Sequence, residues 1–219
     1  LCANVCSATL LEKVKLPALY RVHEGPSDER LASVREFLAE LGIGLGGGDD
    51  PQPEDYQRVL AAVKHRDDAA VIQSVMLRSM SQAVYQPENL GHFGLAFDAY
   101  SHFTSPIRRY SDLLVHRAIR SLIRGQKKTS HVRRVVGVDS LSKCLIYPYE
   151  TEQLETVGDH LCITERRADE ATRDVVNWLK CEYLTSRVGE KYTGVVSAVT
   201  GFGLFVMLDE LYVEGLIHV

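Results

Sequence analysis

The stretch Ser105-Pro106-Ile107-Arg108-Arg109-Tyr110-Ser111-Asp112-Leu113-Leu114-Val115-His116-Arg117-Ala118-Ile119 decides how this sequence is read. Ser105 suits a helix cap, and Pro106 suits a first helical turn, where its missing N–H costs nothing. The pattern predicts a helix from Ser105 to Gly125. Ile107, Leu113, Leu114, Val115, Ala118, Ile119 and Leu122 lie nearly all round it, so burial is expected. Arg108, Asp112 and His116 nevertheless follow one another at i, i+4 steps and form a polar stripe. Charges on a buried helix have to be paired or to meet a charged ligand. Asp112 is expected to pair with Arg108 and orient it. Arg108 and Arg109 then offer planar donors suited to phosphate oxygens. On pattern alone, a structural ion pair in the core fits equally well.

The surrounding charge sharpens the question without answering it. The chain has 219 residues and a formal net charge of −4, which by itself does not suggest a nucleic-acid partner. Between Ser101 and Arg134, however, the positive residues are Arg108, Arg109, Arg117, Arg120, Arg124, Lys127, Lys128, Arg133 and Arg134, against Asp112 as the acidic one. Such a patch attracts phosphates while the acidic remainder stays solvated. A solvated basic helix and loop has the same composition.

Outward from this stretch the chain reads as mainly helical and then as strands. A helix is expected over Leu1–Leu19, ending near Pro17, with an extended piece at Tyr20–Val22. Ser27 caps a helix carrying Leu31, Val34, Phe37, Leu38 and Leu41, which Gly42 ends. Gly44–Pro53 lacks the Lys-Ser/Thr ending of a phosphate-binding loop and reads as a connector. Helices are expected over Glu54–Lys64, with Tyr56, Val59, Leu60 and Val63 inward, and over Asp68–Tyr85, with Val71, Ile72, Val75, Met76 and Met80 inward. Gly91–Thr104 is irregular, Lys127–Pro148 a surface excursion, and Thr151–Arg187 a long helix on which Trp178 anchors the core. Strands follow at Lys191–Val199, Gly203–Leu208 and Tyr212–Val219, so a separate β-barrel module is expected. Cys2, Cys6, Cys144, Cys162 and Cys181 show no CxxC spacing and read as unpaired, mostly buried thiols of a reducing, cytoplasmic compartment. No apolar run approaches the roughly 18 to 20 residues that span a bilayer, so no membrane association is expected. The first residue is not Met, and the sequence stops within a strand-like run, so both ends read as cut.

His92-Phe93-Gly94-Leu95, then Tyr100-Ser101-His102-Phe103-Thr104-Ser105-Pro106-Ile107-Arg108-Arg109-Tyr110-Ser111-Asp112 and His116, resembles the signature of the ribonuclease II/R family. Glu165–Val175, with Trp178-Leu179-Lys180-Cys181, is more similar to its ribonuclease R branch than to its ribonuclease II branch. Gly189–Val219 resembles the start of an S1-type module, an OB-fold, on Lys191-Tyr192-x-Gly194-x-Val196, Phe202-Gly203-x-Phe205-Val206 and Gly215–Val219. The implied fold is α+β. Residues 1–187 would form the helical C-terminal part of the catalytic domain, and 188–219 the first part of the OB-fold barrel.

The resemblance implies a processive 3′-to-5′ hydrolytic exoribonuclease that releases nucleoside 5′-monophosphates and uses Mg²⁺. Arg108, with Arg109 beside it, matches the arginine that contacts the scissile phosphate region, where it would stabilise developing negative charge. Asp112 and His116 would support it. Tyr100, His102, Ser105, Lys191 and Tyr192 are expected to contact RNA, and Phe202, Phe205 and His218 match ring-bearing positions on which bases stack. The partner would be the 3′ end of single-stranded RNA. The full-length form would be a monomer, and protein partners are not read from the sequence. The family's metal ligands are clustered aspartates. Asp49-Asp50 and Asp67-Asp68 do not match that motif, so the ligands are expected upstream of Leu1. The alternative is a non-catalytic RNA-binding protein that keeps the channel and the S1-type module.

Overall fold

The first helix ends before Pro17 is reached. A proline disfavours helical backbone at the residue before it. Helix α1 (Cys2–Lys13) stops well short of Pro17 rather than running up to it, and Lys15 turns left-handed at φ 52°. In this computed structural model, residues 1–125, 129–133, 136–209 and 211–219 are described. Lys127, Lys128 and Arg134 of the basic stretch lie outside them. The chain divides into two units, Leu1–Thr164 and Glu165–Val219.

In the first unit, β1 (Tyr20–Val22) pairs antiparallel with β2 (Val84–Gln86), Tyr20 opposite Gln86 and Val22 opposite Val84. This corrects the expectation of a helix running through Tyr85. Helix α4 (Ala69–Ser79) ends earlier because the backbone at Val84–Gln86 is needed by the ladder to β1. Helices α2 (Asp28–Glu40), α3 (Pro53–Val63) and α4 enclose one core of Val34, Leu38, Tyr56, Val59, Val63, Ile72 and Met76. Ser27 is the N-cap residue of α2, as read from the sequence. Leu60 and Val71, expected inward, are 37% and 40% exposed, since each helix of such a cluster buries one stripe only.

A second core joins Leu11 of α1 to Leu114, Val115 and Ala118 of α5 (Tyr110–Arg124) and to Tyr147 and Leu154. The last two flank the connection from α6 (Lys143–Ile146) to α7 (Thr151–Thr185). The expected surface excursion therefore turns inward at its end. Tyr147 is fully buried, and its hydroxyl donates to the Pro17 carbonyl oxygen at 3.0 Å. The expectation of mostly buried cysteines is corrected as well. Cys162 is buried, its Sγ accepting the Tyr85 N–H at 3.2 Å, while Cys2, Cys6, Cys144 and Cys181 are exposed.

In the second unit, β3 (Gly194–Thr200), β4 (Gly203–Leu208) and β5 (Glu214–His218) form an antiparallel sheet in the order β3-β4-β5, with a bulge between Val196 and Ala198. The expected strands are present with shifted ends. Trp178 on α7 is 64% exposed rather than a core anchor. Mixed helix and sheet is thus the architecture. No described helix is long and apolar enough to cross a membrane.

Candidate functional site

The segment leading to the arginine pair is fixed before it arrives there. Arg21 of β1 donates its backbone N–H to the Tyr100 carbonyl at 2.8 Å, and the Ser101 hydroxyl donates to the Leu19 carbonyl at 3.0 Å. Buried Asn4 on α1 binds the segment twice. Its amide nitrogen donates to the Tyr100 hydroxyl at 2.9 Å, and its amide oxygen accepts the Phe103 N–H at 3.2 Å. Buried polar groups satisfied at every turn specify one backbone path. Sequence reading missed Asn4, whose signal was a polar residue on the stripe of α1 that also carries Leu11.

The path ends in a turn, not in the first turn of a helix. Helix α5 begins at Tyr110, with Arg109 as its N-cap residue in extended conformation. Asp112 sits fully buried beneath the turn. Its Oδ1 accepts the Ser105 N–H at 2.7 Å and Arg109 Nη2 at 2.8 Å, and its Oδ2 accepts Arg109 Nε at 2.8 Å. The backbone N–H groups of Arg108 and Arg109 return to the Ser105 carbonyl at 3.3 and 3.1 Å. Burial pushes the Asp112 pKa up, but the Arg109 hydrogen bonds, the Ser105 N–H and the Arg109 charge outweigh it and hold the carboxyl below its usual range.

Two expectations are corrected here. Asp112 pairs with Arg109, not with Arg108, because Arg108 lies in the turn before the helix and so is not one helical turn from Asp112. Helix α5 is not buried all round. Ile107, in the turn before it, is completely exposed and Leu113 is 40% exposed, so the buried side carries Ser111, Asp112, Leu114, Val115, Ala118 and Ser121. Arg108 is left exposed at the crest of the clamped turn.

The flanking rings are ordered in the same way. His116 stacks on Phe103 with ring centroids 4.2 Å apart, and its Nε2 is 2.9 Å from the Phe103 carbonyl oxygen. Tyr100 is buried, its ring edge-on to those of His92 and His102. His102 Nδ1 shares a hydrogen bond with the Tyr85 hydroxyl at 2.8 Å. Burial, then the charges of Arg109 and Arg21, push the His102 pKa down to about 4, so its ring is neutral at pH 7. Tyr85, like Asn4, was not singled out in the sequence, because a tyrosine expected on a helix gives no hint that its hydroxyl orients a distant imidazole.

Tyr100, His102, Ser105, Arg108, Arg109, Asp112 and His116 are therefore gathered around one turn. Lys191, Tyr192, Phe202, Phe205 and His218 belong to the other unit. Phe202 is 52% exposed and meets Phe205 edge to face at 6.2 Å. His218 pairs with Gly203, two residues before Phe205 on β4, which puts Phe205 and His218 on the same face of the sheet. Lys191 and Tyr192 precede β3, and the Tyr192 hydroxyl donates to Glu190 Oε2 at 2.5 Å.

The donor set does not fit a catalytic metal. Among the described residues no group of three or more His, Cys, Asp or Glu converges as metal ligands. Asp112 has both oxygens committed to Ser105 and Arg109. Asp68 pairs with Arg66 at 2.7 Å, and Asp50 accepts from the Gln52 side chain at 3.0 Å.

Residues 1–125 match the family of the RNB domain. The chain is 50% identical over 217 residues to ribonuclease R of Escherichia coli (strain K12), which covers 99% of this chain and 26% of that protein. It is 38% identical to ribonuclease R of Aquifex aeolicus (strain VF5), covering 99% of this chain and 28% of that one. Among solved structures it is similar to Mycoplasma genitalium RNase R in complex with ribose methylated single-stranded RNA. There the TM-score is 0.83 and the identity 29%, with 99% of this chain and 32% of that chain covered. Yeast Ssd1, a pseudonuclease, shares the fold with a TM-score of 0.75 at 21% identity, covering 99% of this chain and 25% of that one. The chain thus spans about a quarter of the length of the curated relatives it matches. With more than half of its residues matched by the family and the Ser105–His116 signature folded into one clamped turn, the chain belongs to the RNB-domain family, that of ribonucleases II and R.

Proposed function

We propose that this chain is the arginine-bearing part of a 3′-to-5′ hydrolytic exoribonuclease of the ribonuclease R type, which degrades single-stranded RNA processively to nucleoside 5′-monophosphates. The observation that carries the reading is the exposed guanidinium of Arg108, set on a turn whose two flanks are fastened to buried Asp112. A turn fixed before the reaction starts presents its donor without any reordering of backbone as charge develops on the phosphate. Arg108 is assigned that stabilising contact. Arg109 is bound by two of its nitrogens to Asp112, so its main task is to fix the turn. Ser105, Tyr100, His102 and His116 position the same segment beside the RNA path. Mg²⁺ is the metal of such an enzyme. Since the carboxylates described here do not converge on a metal site, its ligands are assigned outside this chain, and no step of the chemistry is routed through it.

The β3-β4-β5 sheet is read as the first strands of an S1-type OB-fold, with residues 188–219 as its part of the chain and 1–187 as catalytic domain. Phe202, Phe205 and His218 offer rings to bases, and Lys191 and Tyr192 flank them. The free thiols, four of them exposed, suit a reducing, cytoplasmic compartment, and the full-length enzyme is read as a monomer.

The test is Arg108→Ala in an intact enzyme carrying this chain. Turnover of a single-stranded oligonucleotide should fall by about 100-fold or more, as for loss of one preorganised donor to a developing anion, while RNA affinity changes little. Equal losses in both would reduce Arg108 to a binding residue. Failure of the unmodified enzyme to release monophosphates with Mg²⁺ present would favour the non-catalytic reading.

A further inference from the structure

Helix α5 carries a second basic feature that the arginine turn does not use. A surface groove of about 390 Å³ runs along the helix in the direction of its C-terminal end, starting at the Phe103–His116 stack. Arg117, Arg120 and Arg124 line it together with Leu113, Ile119 and Ile123. No carboxylate is among the residues lining it. The guanidinium groups are spread over about 10 Å of helix, at 1.5 Å of rise per residue.

Their existing bonds show how much each has left to give. Arg117 spends Nε on the Ile146 carbonyl at 2.8 Å and Nη1 on the Tyr149 hydroxyl at 3.0 Å, which fixes its direction and leaves Nη2. Arg124 spends Nη2 on the Asp139 carbonyl at 3.0 Å. Arg120 is exposed, and no hydrogen bond or ion pair ties it to another described residue. Two arginines are thus held in place by neutral carbonyl and hydroxyl oxygens that leave their charge uncompensated, and a third stands between them.

We propose that this groove is a binding site for the phosphodiester backbone of single-stranded RNA, outside the clamped turn at Arg108. Guanidinium groups pair with successive phosphates, while Leu113, Ile119, Ile123 and the ring pair at its head receive base faces. A cationic track beside apolar and ring surfaces is what sequence-tolerant single-strand binding requires. RNA is favoured over an acidic peptide because the groove begins at Phe103, on the segment that leads directly into the arginine turn. One strand can therefore occupy both. The inference rests on the exoribonuclease reading above for its ligand, but not for its residues.

The experiment measures equilibrium binding of a fluorescently labelled oligoadenylate to an intact enzyme carrying this chain, with Mg²⁺ withheld so that the RNA stays whole, over a range of salt concentrations. It compares the parent with Arg120→Glu/Arg124→Glu, with Arg120→Ala, and with Lys64→Glu as an exposed charge reversal at the C-terminal cap of α3. The double variant should bind about tenfold or more weakly at low salt. Its slope of log affinity against log salt should be shallower by about 1 to 1.5, at about 0.7 per lost single-strand phosphate contact. Arg120→Ala should show the same trend at about half the slope change, which keeps the test intact should the double variant misfold. Lys64→Glu should match the parent. Parent binding that neither groove variant weakens overturns the groove and leaves the exoribonuclease reading standing. No RNA binding by the parent overturns both. Preference for a polyglutamate peptide over RNA overturns the ligand class.

Discussion

Asp112 is a charge placed inside the protein to hold others outside. Removing one partner of a buried pair leaves the other uncompensated, and a fifth of the Arg109 side chain remains in solvent to soften that cost. Asp112→Asn should therefore lower stability by about 2 to 3 kcal/mol in urea denaturation, whereas Arg108→Ala, at an exposed position, should stay within about 0.5 kcal/mol. A similar cost for both would mean that the turn is not clamped. The two depressed histidines give a pH dependence. Burial, then His23, pushes the His92 pKa down to about 4, and His102 is down to about 4 as well. Both rings are neutral in the folded chain at pH 6, while an unfolded histidine begins to bind its proton near pH 6.5. The unfolded state thus binds more protons between these values, so stability is highest above about pH 6.5 and falls as pH drops toward 4. The Asp112 contribution has the same sign but is lost at lower pH, below the ordinary carboxylate value. Urea midpoints that do not fall between pH 7.5 and pH 5 would contradict the neutral, buried rings.

At the scale of elements, the close approach of α7 to β2 depends on Gly158. A Cβ there would lie 2.4 Å from the Tyr85 carbonyl oxygen and 3.4 Å from a Leu19 methyl. Alanine normally gains about 1 kcal/mol over glycine inside a helix. Here the contact is to the backbone of β2, whose Tyr85 N–H already bonds Cys162 of α7 and whose strand pairs with β1, so the helix has to move. Gly158→Ala should destabilise the first unit by about 2 kcal/mol or more despite its better propensity. It should also weaken the Tyr85–His102 bond, visible as a shift of the His102 ring resonances. A stabilised variant would show that α7 can slide without cost.

At the scale of the whole molecule, the two units differ in how much they bury. The first has fully buried Leu11, Leu38, Ile72, Leu114 and Leu154. In the second, Val195, Val199, Leu216 and Ile217 on the strands are 56%, 74%, 47% and 56% exposed. Local opening costs least where few apolar contacts are lost. Amide hydrogen exchange in this chain should be faster in β3, β4 and β5 than in β1, β2 and the buried side of α5. Equal protection in both sets would show that the sheet has partners beyond those described.

Local signals were enough to read most of the helices and all three strands of the second unit, since apolar period, Ser27, Gly42 and the Gly201–Gly203 turn act over a few residues. The rarity of the His92–His116 wording was enough for the family. Three things escaped a sequence reading because they depend on contacts that residue pattern does not specify, most of them between segments apart in the chain. Val84–Gln86 became a strand because β1 was there to pair with it, although its own sequence continued a helical pattern. Asn4 and Tyr85 became site residues through contacts nearly a hundred and about seventeen positions away. Helix α5 began late because Asp112 took the Ser105 N–H, and that same bond moved the ion pair from Arg108 to Arg109. The amino-acid order alone thus determined that two arginines and an aspartate would act together at the head of a helix. Only the tertiary structure decided which arginine is locked and which is presented, because that choice is made by a buried carboxylate with room for one guanidinium.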